Sequence, residues 1–195
     1  VVWLVRVAAS GAVIWLLARS SIENRWSVGE SAMWVGAGVA GTLVLWAALA
    51  RSAKERGGMP ALLFVIAGAF SAAGMLASGE IKMPMLLGGV CACVGPGLIV
   101  AIVRPAHAMG ALAATPALGV GAIWFYVTTL GETPWWLALL GVLSVLMIPV
   151  SALGPLARLV GWKRWFVRCV LVAFPGLVGL GVLIAQRASK PAPTW

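Results

Sequence analysis

Aspartate is absent from this sequence, histidine and tyrosine occur once each, and charged residues fill only 10% of its 195 positions. A soluble domain carries about 25% charged and roughly 45–50% apolar residues. Here 62% of residues are hydrophobic and the mean hydropathy is +1.04. In water such a chain would expose more apolar surface than a soluble monomer tolerates. Composition therefore excludes a soluble globule and places residues 1–195 in lipid as a single transmembrane helical domain.

The scarcities also narrow the chemistry. One histidine, five glutamates and no aspartate leave few bases or metal ligands, so neither an enzyme nor a metal site is expected. The chain has no G-x-S-x-G, no metalloprotease His-Glu pair and no phosphate-binding glycine loop. Cys91, Cys93 and Cys169 lie in apolar stretches, an odd count with neither disulfide framework nor zinc spacing. A single His107 makes bis-His haem ligation within the chain impossible. It leaves that residue as a weak cofactor candidate, an axial ligand, against the plainer reading of an interfacial loop histidine. The last predicted span carries no lysine, which rules out a retinal Schiff base there. No Asp, Glu, Lys or His falls mid-span, which argues against a proton- or sodium-coupled carrier.

What is abundant is apolar sequence in long runs. A spanning helix needs about 20 mostly apolar residues. Seven candidates follow, at roughly 1–18, 31–50, 60–78, 85–103, 109–130, 135–156 and 166–186. The expected fold is thus all-α, a polytopic integral membrane protein. The first span is the weakest, because Arg6 shortens its uncharged run. A chain opening on Val1 suggests an alternative start codon or residues upstream.

Basic residues set the expected orientation. With the N-terminus cytoplasmic, that side takes Arg6, Arg51, Lys54, Arg56, Arg104, Arg158, Lys163, Arg164 and Arg168. The opposite side takes Arg19, Arg25, Lys82, Arg187 and Lys190, together with four of the five glutamates. The net charge of +9 is read as orientation signal and anionic-lipid contact, not nucleic-acid binding. The expected location is a prokaryotic cytoplasmic (inner) membrane. Gly29-Glu30, Gly79-Glu80 and Gly131-Glu132 recur at spacings of 50 and 52. They suggest one helix followed by hairpin repeats over 29–78, 79–130 and 131–187.

Several residues are candidates for specific work. Glu30, Glu80 and Glu132 sit just before predicted helices. There a carboxylate meets unpaired N–H groups, with Ser31 and Thr133 as companion caps; a cation-entrance ring is the functional alternative. Trp162, Lys163, Arg164, Trp165 and Arg168 interleave bases with aromatics, the pattern of an interfacial belt on lipid headgroups. Small residues at four-residue spacing, Gly89-Cys93-Gly97 and Ala113-Ala117-Gly121, offer helix-packing faces. Gly95 and Pro96 mark a candidate helix break.

These features lead to two expectations. The first is a non-catalytic, lipid-embedded subunit of a larger membrane complex, in contact with other membrane subunits and anionic lipids. The alternative is a small permease or channel for a neutral or lipid-like solute, which requires a polar cavity near Gly95–Gly97.

Overall fold

The structure is a computed structural model that describes residues 2–52, 59–79, 81–103, 113–129, 134–153, 156 and 160–189. Among the described residues the fold is all-α, with seven helices: α1 (Val2–Asn24), α2 (Val28–Ser52), α3 (Met59–Ser78), α4 (Lys82–Val103), α5 (Ala114–Thr129), α6 (Trp135–Val150) and α7 (Trp162–Ala188). Five of them, α1 to α4 and α7, are long and apolar enough to cross a membrane. The protein is therefore an integral membrane protein by length and composition. Helices α5 and α6 have 16 residues each, about 24 Å at 1.5 Å per residue, against a hydrocarbon core of about 30 Å.

Helix ends depart from the hydropathy reading in ways that have local causes. Hydropathy ends the first span at residue 18, but α1 runs to Asn24. Its last turns keep an outward Arg19–Glu23 pair at 2.8 Å and an inward, buried Ser21. The connection to α2 shrinks to three residues, 25–27. Helix α3 ends at Ser78, just before Gly79, whose φ of +98° suits a residue without Cβ and whose N–H reaches the Leu76 carbonyl at 3.0 Å. Helix α6 stops at Val150, not at 156, one residue beyond Pro149. Helix α7 starts at Trp162, a full turn before the apolar run.

Packing runs largely through the two short helices. Helix α5 touches α1, α2, α4 and α6, while α6 touches α2, α3, α5 and α7. Helix α3 lies among α4, α6 and α7, and α1 packs on α2 and α5. Two short helices are compatible with a bilayer where, as here, each packs against four other helices. The α4–α5 and α6–α7 pairs adjoin, whereas α2 packs mainly on α1, α5 and α6.

Close approach between α2 and α5 depends on glycine. A Cβ on Gly38 would lie 2.6 Å from the Phe125 ring, and one on Gly121 would meet the Thr42 hydroxyl and lie 3.0 Å from Thr42 Cβ. The pairs Gly38–Phe125 and Thr42–Gly121 also fix the two helices as antiparallel. The Thr42 hydroxyl donates to the Gly38 carbonyl at 2.8 Å, so its polar atom is satisfied within its own helix.

Candidate functional site

Among the described residues the most heavily buried charge is Arg168. Sequence grouped it with the headgroup-facing belt, but the structure turns it inward, with 1% of its surface exposed. Its place in α7, six residues from Trp162, puts it beside the end of α6. Arg168 Nε donates to Ser151 Oγ at 2.9 Å, and Ser151 Oγ donates to the Ile148 carbonyl at 2.6 Å. The guanidinium thus sits where the α6 carbonyls carry partial negative charge. It ties the start of α7 to the end of α6. The rest of the belt behaves differently: Trp162, Lys163 and Trp165 are exposed and Arg164 is half-buried.

Arg6 is the other cation inside a predicted span. Its guanidinium carbon lies 4.9 Å from the Trp3 ring centroid and 5.5 Å from that of Trp46, within cation–π range. The charge that weakened the first span as a sequence prediction is therefore sheltered between two indoles. Trp46 lies near the end of α2, so this contact shares an end of the bundle with Arg51, Ser151 and the start of α7.

At the opposite end, Glu30 lies in the first turn of α2 and is exposed. Its Oε2 accepts from the Ser27 backbone N–H and hydroxyl, each at 2.9 Å, and its own N–H reaches Ser27 Oγ at 3.3 Å. That is a capping box with Ser27 as the cap. Ser31, the companion expected from sequence, is one turn inside the helix. The Ser27-x-x-Glu30 spacing was a readable signal that composition-led reasoning passed over. Glu80, Glu132 and His107 lie outside the described residues.

The two small-residue stripes have different surroundings. Ala113 and Ala117 are buried, and Gly121 lies against Thr42 of α2. On α4, Gly89 and Cys93 are exposed, joined by Gly88, Ala92 and Pro96. A Cβ on Gly88, Gly89 or Gly95 would meet nothing within 4 Å. The surroundings of Gly97 lie outside the described residues. Helix α4 passes through Gly95 and Pro96 without interruption, so the expected break is a proline inside a continuous helix.

An interior cavity of about 20 Å³ lies among α3, α4, α5 and α6, with Gly68, Ser71 and Gly141 on its walls. It has room for about one water, but its walls are nearly all apolar and Ser71 Oγ already donates to the Ala67 carbonyl at 2.8 Å. A larger groove of about 550 Å³ opens between α1 and α2, with Trp15, Ile22 and Trp26 facing Ala32, Val35 and Gly36. Neither hollow touches Gly95 or Pro96. Sequence reasoning also missed two buried hydroxyls, Ser10 and Ser144, whose Oγ atoms have no hydrogen-bond partner. Among the described residues, no three His, Cys, Asp or Glu side chains come together as a metal site would require.

Comparison with known protein families, with curated proteins and with solved structures returned no match to this chain.

Proposed function

We propose that this protein is a non-catalytic, lipid-embedded subunit of a multi-subunit membrane complex. It sits in a prokaryotic cytoplasmic membrane with its N-terminus inside. The observation that carries the reading is the outward face of α4. Elsewhere in the bundle small residues admit a neighbouring helix, as Gly38 and Gly121 do between α2 and α5. On α4 the same kind of residue, Gly88, Gly89, Ala92 and Cys93, is exposed, and among the described residues nothing lies within 4 Å of a Cβ on Gly88 or Gly89. Lipid chains offer no hydrophobic drive for helices to associate, so shallow faces of small residues favour another helix over lipid by close packing.

The charge distribution supports the orientation. Arg6, Arg51, Lys163, Arg164 and Arg168 share one end of the helices, the end expected in the cytoplasm and against anionic headgroups. Helix α4 continues through Gly95 and Pro96, so the helix break on which the permease alternative rests has no counterpart among the described residues.

Extraction of native membranes in mild detergent, followed by a blue-native gel, tests the proposal. The chain should migrate in a species much larger than its own 20.2 kDa. Gly89→Phe should shift it toward the monomer while leaving its helix content intact. A stable monomer from the native membrane overturns the proposal.

A further inference from the structure

We propose that the groove between α1 and α2 binds one glycerophospholipid, with an acyl chain along the Trp15–Trp26 wall and the phosphate on Arg25. The groove holds about 550 Å³, inside the roughly 300–1,000 Å³ typical of small-molecule sites. Its lining is apolar apart from Ser31. From Trp15 to the end of α1 at Asn24 the wall rises about 14 Å at 1.5 Å per residue, a length suited to much of one acyl chain. Trp26 stands at the polar end, stacked on Trp34 with centroids 6.5 Å apart and edge-on to Phe125 at 6.4 Å. That end of the groove is therefore built from fixed aromatic rings, as membrane interfaces favour.

Charge at the mouth identifies the headgroup chemistry. Two carboxylates adjoin the lining residues Ile22 and Ser31 in sequence, and both are engaged: Glu23 accepts from Arg19 at 2.8 Å, and Glu30 is held by Ser27 at 2.9 Å. Arg25 is exposed, directly precedes Trp26, and among the described residues its guanidinium has no partner. An uncommitted arginine one residue along the chain from the groove's Trp26 complements a phosphodiester whose hydrocarbon tail fills the groove. This lipid site stands apart from the α4 face and does not depend on it.

The groove can be filled without disturbing the helix pair, because a Cβ on Gly36 meets nothing within 4 Å. Gly181 on α7 is equally open and exposed, and α7 packs on α3 and α6, away from this hairpin. The test is native mass spectrometry of delipidated protein titrated with dioleoyl phosphatidylglycerol, with circular dichroism confirming that each variant keeps its helix content. Wild type and Gly181→Phe should retain a single saturable lipid at equal affinity. Gly36→Phe should weaken it by about tenfold or more, equivalent to about 1.4 kcal/mol, and Arg25→Gln several-fold. Wild-type affinity in Gly36→Phe overturns the site, as does equal weakening in Gly181→Phe. Unchanged binding in Arg25→Gln overturns the phosphate contact on which the assignment to a phospholipid rests.

Discussion

Arg168 Nε donates to Ser151 Oγ at 2.9 Å across the α6–α7 connection, and the arginine is almost wholly buried. A buried cation with an acceptor removed bears the cost of that missing bond in full. Ser151→Ala should therefore lower stability by about 1–3 kcal/mol, and Arg168→Ala by more, because the aliphatic stem is buried too. Thermal unfolding in detergent would show the order. Arg168→Lys should recover only part of the loss, since an ammonium lacks the planar fork that reaches Ser151 and its surroundings together. Equal melting temperatures for wild type and Ser151→Ala would contradict this account.

The α2–α5 contact makes a sharper test, because it has a built-in rescue. Gly121→Ala forces a methyl onto Thr42, and overpacking of this kind costs about 1–3 kcal/mol. Thr42→Ala should relieve that clash, so the double variant should be less destabilised than the sum of the two singles. Gly11→Ala is the control. Nothing lies within 4 Å of a Cβ there, and the substitution should be neutral or stabilising by up to about 1 kcal/mol through helix propensity. Strict additivity between positions 42 and 121 would remove the steric explanation.

The class of fold was legible because long apolar runs with almost no mid-span charge admit few other readings. Helix ends were less legible. Hydropathy registers where apolar residues stop, whereas α1 continues through Arg19, Ser21 and Glu23 because backbone bonding and an outward ion pair sustain it. The stripes at 89–97 and 113–121 were visible as periodicities, but the partner of each stripe depends on long-range packing. Thr42 faces Gly121 across many residues of sequence, while a Cβ on Gly89 would meet nothing within 4 Å among the described residues. Arg168 illustrates the same limit. An arginine near a predicted helix end reads as snorkelling, and only the fold places Ser151 opposite it. The Ser27–Glu30 box was legible locally, since a cap and its carboxylate lie three residues apart.

That box gives a prediction that separates the two serines. Ser27→Ala should destabilise the start of α2 by about 0.5–2 kcal/mol, because it removes the hydroxyl that Glu30 N–H and carboxylate both use. Ser31→Ala should be close to neutral, as Ser31 is already inside the helix with its N–H on the Ser27 carbonyl at 2.9 Å. Hydrogen exchange at the first turn of α2 reads the difference directly. Faster exchange in Ser31→Ala than in Ser27→Ala would move the cap back to where sequence alone suggested it.

Cys93 allows the α4 face to be followed in the membrane. It is exposed, whereas Cys91 is half-buried and packs against Gly68, and Cys169 is half-buried on α7. With Cys91→Ala and Cys169→Ala, a nitroxide can be placed at position 93 alone. In liposomes holding only this chain, the label should collide freely with dissolved oxygen and hardly at all with a polar nickel chelate, because its surroundings are hydrocarbon. In the native membrane, with partner subunits present, oxygen collisions and label mobility should both fall, since a docked helix replaces lipid on that face. Gly89→Phe, one turn away, should restore the liposome values by keeping the partner off. A label equally mobile and oxygen-accessible in both membranes would mean that α4 faces lipid throughout, and the subunit reading would lose the observation that carries it.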